Sequence, residues 1–332
     1  MQTILVSRFS ALGDVAISVH VLNSFLDQNP DVEIILLTKP PFRQLFENID
    51  RVKIFNVDFS EKHKGVFGIK KLCKEIIAEN KIDFYADLHS VIRTKLIYFF
   101  LPNSIKRAKI NKGRNEKKQL TRRKKKQLIQ LKHSAERYAD VFRELGFKLD
   151  LNKSVKKTFF VPSKNIAQIL SLPSPKIGIA PFAKHKSKTY PISKTEKIIQ
   201  NLSKTHTILV FGGGAKEKEI VEKWEKEYKN VISIVGKYSM KDEICLLNNC
   251  KTVLTMDSGN MHLASLTSTE IISVWGATHP FLGFSPFNKQ DTIYVQKELS
   301  CRPCSVFGNK KCYKGTYECL EIDPEIIIEK FS

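Results

Sequence analysis

No apolar run in the sequence approaches the roughly 18 residues that a membrane-spanning helix requires. The longest, Leu96 to Leu101, falls far short, so a spanning helix is excluded. No signal-peptide pattern opens the chain either: Thr3 to Val6 is a strand-length run that leads directly to Arg8, and a cytoplasmic location is expected. The GxxxxGK[ST] phosphate loop is missing, which disfavours ATP hydrolysis of that type. The GxGxxG fingerprint is missing as well, against a usual NAD-binding first half. No pair of carboxylates stands out for glycoside hydrolysis. Acids are scarce overall, with 34 Asp and Glu against 55 Lys and Arg.

What is present is a chain of 332 residues with 42% apolar content, enough for real cores and too long for one small domain. Thirteen Lys or Arg lie between Lys106 and Lys132 against the single acid Glu116, more than half of the net charge of +21. Such a segment points to a polyanionic partner or to a solvated basic loop. It contains no aromatic residue to stack bases, so no nucleic-acid partner is expected, and an RNA-binding protein is kept only as an alternative. Of seven cysteines, Cys301, Cys304, Cys312 and Cys319 cluster late. In a cytoplasmic protein that clustering favours a metal over disulfides. Only Cys301 and Cys304 are close in sequence, so a structural zinc and reduced, partly buried thiols both remain open.

Taken in order, the chain alternates strands and helices, the pattern of a doubly wound parallel sheet. Thr3 to Val6, Glu33 to Thr38, Val52 to Val57 and Asp83 to His89 read as strands. Helical spacing runs from Val15 to Asp27, Phe67 to Asn80 and His133 to Leu145. The basic segment reads as a mobile loop over the ligand edge of this first sheet. Pro162, Pro173 and Pro175 mark a boundary within 148–174, after which Lys176 to Ala180 restarts the alternation. Thr207 to Phe211, Val231 to Val235, Thr252 to Met256 and Glu270 to Trp275 follow as strands. The expected organisation is a first Rossmann-like half over 1–160, a second over 175–320 and a terminal helix over 321–332.

The most informative stretch is Thr252 to Leu266. A buried strand ends in Asp257-Ser258-Gly259-Asn260, turn and cap chemistry, and a helix resumes with His262 in its first turn. Unpaired amides and the helix dipole favour an anion there. The plainer reading is a βα turn with a capping Asp and a surface His. Lys188, in a basic turn before another helix, supplies a cation, and Gly212 to Gly214 lets backbone approach a ligand. Asp14, near the start of the first helix, reads either as an N-cap or as a lone carboxylate base. Together these residues suit transfer of a group from a nucleotide-activated donor.

Ser10-Ala-Leu-Gly-Asp14-Val15, Lys188-Thr-Tyr-Pro191 and Met256-Asp-Ser-Gly-Asn-Met-His262 resemble glycosyltransferase family 9, the lipopolysaccharide heptosyltransferases. Supporting matches are Asp87-Leu-His-Ser-Val-Ile-Arg93, His133-Ser-Ala-Glu-Arg-Tyr138, Val210-Phe-Gly-Gly213 and Trp275-Gly-Ala-Thr278, and the late cysteines resemble a cluster many members carry. The resemblance implies a GT-B fold, two Rossmann-like domains facing across a cleft, and inverting transfer without a catalytic metal or other required cofactor. It implies Asp14 as general base, Lys188 on the pyrophosphate, Asp257, Ser258, Gly259 and His262 in the donor turn, and Tyr238 beside the adenine. Ser10, Asp87, His89 and Arg93 are expected to meet the acceptor. The donor is expected to be ADP-heptose and the acceptor an anionic glycolipid at the inner-membrane surface. Glu217 and Glu219 both stand where the family places an acid. Ala183, Lys184 and Tyr190 depart from the family pattern, which leaves open a UDP- or GDP-sugar used on another surface glycan.

Overall fold

Residues 1–153, 159–173 and 175–331 are described by a computed structural model of the chain. The first strand, β1 (Gln2–Ser7), is buried from Thr3 onward because its apolar, branched residues are covered on both faces, as the middle of a parallel sheet must be. It leads to α1 (Leu12–Gln28), β2 (Val32–Thr38), β3 (Val52–Asn56), α2 (Gly65–Glu79), β4 (Phe84–Asp87), α3 (Ile92–Phe100) and β5 (Lys106–Lys109). The strands form one parallel sheet in the order β3-β2-β1-β4-β5. Ile69, Leu72, Cys73 and Ile76 of α2 and Ile97 of α3 pack with Leu5, Leu37 and Tyr85 on one face. Ser7 pairs with Asp87, so the carboxyl ends of β1 and β4 lie side by side where the strand order reverses. That reversal is where open α/β sheets leave a ligand crevice.

The basic segment departs from the loop reading. It contributes β5 and then α4 (Arg114–Leu120). Lys117 is buried with its ammonium 4.2 Å from the centroid of the Phe284 ring, and Leu131 N donates to Phe281 O at 2.9 Å. Those contacts assign 113–133 to the second of two compact units. The first comprises Met1–Lys112 and Ser134–Phe159, the second Gly113–His133 and Phe160–Ser332. The first unit therefore resumes with α5 (Ser134–Leu145), whose Phe142 stacks on Phe25 of α1. Of the stretch 148–174 read as a boundary, residues 154–158 and 174 lie outside the described residues.

The second unit continues with α6 (Ala167–Leu170), β6 (Lys176–Ala180), α7 (Ile192–Leu202), β7 (Thr207–Val210), α8 (Ala215–Glu227) and β8 (Val231–Ser233). It is completed by α9 (Met240–Asn248), β9 (Thr252–Met256), α10 (Gly259–Ser265), β10 (Glu270–Trp275), β11 (Ile293–Gln296) and α11 (Pro324–Ile328). Its strands are again all parallel, ordered β11-β10-β9-β6-β7-β8, with the reversal between β6 and β9. The terminal helix is not a separate piece: Ile322 and Ile327 are buried in the core of this unit with Tyr190 and Ile198.

Candidate active site

In the first unit the carboxyl end of β1 delivers Arg8 inward, 4% exposed, and its Nη2 meets Asp14 Oδ2 at 2.6 Å. Arg8 Nη1 donates to Leu88 O at 2.6 Å, and the guanidinium lies 5.5 Å from the centroid of the Tyr138 ring. The Tyr138 hydroxyl donates to Asp14 Oδ1 at 3.2 Å. Asp14 is not the helix cap. Ala11 holds that position, and Asp14 lies in the first turn of α1, where the helix dipole favours a carboxylate. Its side chain is 34% exposed against 5% for Arg8, so one solvent-facing carboxylate is oriented by two buried donors.

The expected acceptor residues separate. Asp87 is buried and its Oδ1 accepts from His89 N at 2.8 Å and Ser90 N at 2.7 Å, so the carboxylate is engaged in building the turn after β4 rather than presented to a ligand. His89 is also buried, its Nδ1 accepting from Phe9 N at 3.4 Å. Burial and the positive charges of Arg8 and Lys112 lower its pKa to about 3, so the ring is neutral at physiological pH. Arg93 is exposed and rests over the Phe59 ring at 4.8 Å, and Ser10 is half-buried.

In the second unit three separated stretches converge on one carboxylate. Lys188 Nζ lies 3.1 Å from Asp257 Oδ2, and Thr278 Oγ1 donates to the same oxygen at 2.7 Å. Asp257 directly follows β9, at the strand reversal. Ser258 caps α10 by backbone position, and its Oγ is buried with no hydrogen-bond partner among the described residues. Gly259 opens the helix, and His262 is buried rather than on the surface. The turn bearing Lys188 is anchored from behind. Ala277 N donates to Ser187 O at 3.0 Å, and a Cβ at Gly276 would run into that carbonyl.

Arg302, 3% exposed, holds the far side of this arrangement. Its Nε donates to Gly276 O at 2.5 Å, Nη1 to Lys297 O at 2.6 Å, and Nη2 to Trp275 O at 3.1 Å and Thr278 O at 3.0 Å. Arg302→Met would strand several buried carbonyls at once and is expected to cost about 3 kcal/mol or more of unfolding free energy. Denaturant melts of the two proteins would measure the difference, and a loss below about 1 kcal/mol would remove Arg302 as the anchor of this turn.

At the glycine run, Glu217 Oε2 accepts from Gly213 N at 2.6 Å while Glu219 is exposed. Burial raises the Glu217 pKa. Tyr238 is half-buried immediately before Ser239, whose hydroxyl caps α9 by accepting from Asp242 N at 3.2 Å. Cys301, Cys304, Cys312 and Cys319 do come together, lining one small cavity as free thiols. Among the described residues no group of three or more His, Cys, Asp or Glu is arranged to hold a metal ion, so of the two readings left open the structural zinc finds no ready ligand set. Arg8 appeared in the sequence only as the residue after the first strand, with no role at the site, and Arg302 did not stand out at all. Tyr138 and Thr278 lay inside recognised motifs without a role.

Residues 69–314 match the model of glycosyltransferase family 9 (heptosyltransferase). The chain belongs to that family. Family 9 relatives agree along the whole length: lipooligosaccharide heptosyltransferase 2 of Campylobacter jejuni is 25% identical over 327 residues, covering 96% of this chain and 95% of that protein. Among solved structures, a family 9 glycosyl transferase from Veillonella parvula superposes with a TM-score of 0.78 at 20% identity, covering 99% of this chain and 95% of that one. The E. coli heptosyltransferase WaaC with ADP gives 0.70 at 17% identity, covering 99% of each. The protein is thus a glycosyltransferase with the GT-B fold, each unit Rossmann-like. The family match begins after Asp14 and includes Lys188 and the Asp257 turn.

Proposed function

We propose that this family 9 enzyme transfers heptose from ADP-heptose to an anionic lipopolysaccharide-core acceptor, with inversion and without a catalytic metal. The observation that carries the donor half is the Lys188–Asp257–Thr278 cluster at the β6/β9 reversal, a half-buried ammonium paired with a buried carboxylate beside a helix start. In this reading the acceptor oxygen attacks the anomeric carbon and Asp14 takes its proton. The bond to the diphosphate breaks on the opposite face, and Lys188, the opening amides of α10 and His262 meet the charge that develops on the leaving group. Tyr238 stacks on the base, and Glu217 stands at the glycine turn to orient the nucleotide. The basic segment 106–132 meets the acceptor phosphates, and the enzyme works at the cytoplasmic face of the inner membrane.

Thermal stabilisation by ADP, UDP, GDP and CDP with the matching nucleotide-sugars tests the donor. A ligand at 100 times its dissociation constant adds about 2.7 kcal/mol to unfolding free energy, an easily read shift. A selective response to ADP and ADP-heptose is expected. Selectivity for UDP or GDP would keep the mechanism and move the substrate to another surface glycan, and no response at all would overturn the reading.

A further inference from the structure

We infer that the outer face of α2 and α3 docks the enzyme on an anionic phospholipid bilayer. The inner sides of these helices are committed to the first sheet through Ile69, Leu72, Ile76 and Ile97. Their outer sides hold large apolar groups in solvent: Phe67 is 86% exposed, Ile92 78% and Phe99 77%. Val66 and Ile77 are exposed beside them. Helical spacing explains the segregation. Along α2, Phe67, Lys70, Lys71, Lys74 and Ile77 recur at three- and four-residue steps and form one exposed stripe. Along α3, Ile92, Lys95 and Phe99 form a second, and α3 contains no acid. The two helices pack beside each other on the same sheet face, so both stripes belong to the layer that covers that face.

Aromatic and aliphatic side chains standing in solvent among lysines match a surface that is negative outside and apolar just beneath. Acidic headgroups meet the lysines, and the rings reach the acyl boundary. A second copy of the chain fits poorly, because a twofold contact here would set Lys70, Lys71 and Lys74 against the same lysines. No described helix is long and apolar enough to cross a membrane, so the contact is superficial. The inference deepens the proposed function, since a lipid-borne acceptor lies in that same surface, but it is tested without any acceptor.

The test is flotation of the full chain with vesicles of phosphatidylcholine alone and with vesicles in which about a third of the lipid is phosphatidylglycerol. The protein is expected to float with the anionic vesicles, less as salt rises, and to stay behind with neutral ones. Phe67→Ser with Phe99→Ser, and separately Lys70→Glu, Lys71→Glu and Lys74→Glu together, are each expected to lower the partition coefficient roughly tenfold or more. Nucleotide-induced thermal stabilisation in solution stays as in the unaltered chain, which verifies folding. Lys223→Glu, Lys226→Glu and Lys229→Glu together make the same charge change in the second unit and are expected to leave flotation unchanged. Equal flotation of the serine variant, equal loss in the control, or no flotation of the unaltered chain would each overturn the inference. So would loss confined to charge reversal within 122–126, which would place the contact on the basic segment. A chain that floats but answers to no nucleotide would fail the donor reading and leave this one standing.

Discussion

Asp14→Asn is expected to lower turnover by roughly 10²–10⁴-fold, the range for loss of a positioned general base. The carboxamide can keep its oxygen on Arg8 Nη2 and turn its amino group to the Tyr138 hydroxyl, which then accepts instead of donating, so the cluster keeps its shape while its capacity to take a proton is lost. Nucleotide binding should stay near its original strength, because the residues proposed to hold the donor belong to the other unit. The buried Arg8 guanidinium loses its counter-charge. Asp14 is about one-third exposed, so solvent screens the pair and the cost should be about 1–2 kcal/mol, less than for a fully buried one. Turnover is therefore compared well below both melting points, at saturating donor. A variant within tenfold of the original kcat would remove Asp14 as the base and leave it a partner that holds Arg8.

How much of this was legible in the sequence follows from the physics of each piece. β6, β9 and β10 were delimited to the residue because apolar branched runs bounded by turn chemistry have few alternative structures. β5 was invisible: Lys106-Arg-Ala-Lys109 is an edge strand in which only Ala108 is buried, so its residues carry no strand pattern. β11 is likewise a short edge strand with only Val295 buried. The attachment of 113–133 to the second unit is a tertiary fact, carried by Lys117 on Phe284 and Leu131 on Phe281, while composition there reports only charge. The site divides in the same way. Asp14, Lys188 and Asp257 could be singled out as candidates because turns at strand ends announce themselves locally. Arg8 reads as a polar residue leaving a strand, and its burial depends on Leu88 and Tyr138, 80 and 130 positions away. Asp87 misled for the converse reason: an acid at a strand end fits a ligand and a turn equally well, and here the backbone amides of His89 and Ser90 claim it.

Lys188→Ala is expected to abolish the nucleotide response and to destabilise the protein, and the two effects separate. A charge-assisted contact to the diphosphate is worth about 1.5–3 kcal/mol, or roughly 10–150-fold in affinity. At a ligand concentration that stabilises the unaltered chain by about 2.7 kcal/mol, a hundredfold weaker site would yield only about 0.4 kcal/mol, close to the limit of a melting assay. The stability loss has another origin. Asp257 is 8% exposed at its side chain, and without the ammonium Thr278 is the one side-chain donor left to it among the described residues, a broken pair that costs about 3 kcal/mol. Adding Asp257→Asn to Lys188→Ala removes that unpaired charge, so the double variant should recover most of the lost melting temperature while remaining silent to ADP. Recovery of both would mean that Lys188 acts on the nucleotide only through the shape of the turn. A Lys188→Ala protein that still answered to ADP as the unaltered chain does would make the 3.1 Å ion pair a structural tie and move the diphosphate elsewhere.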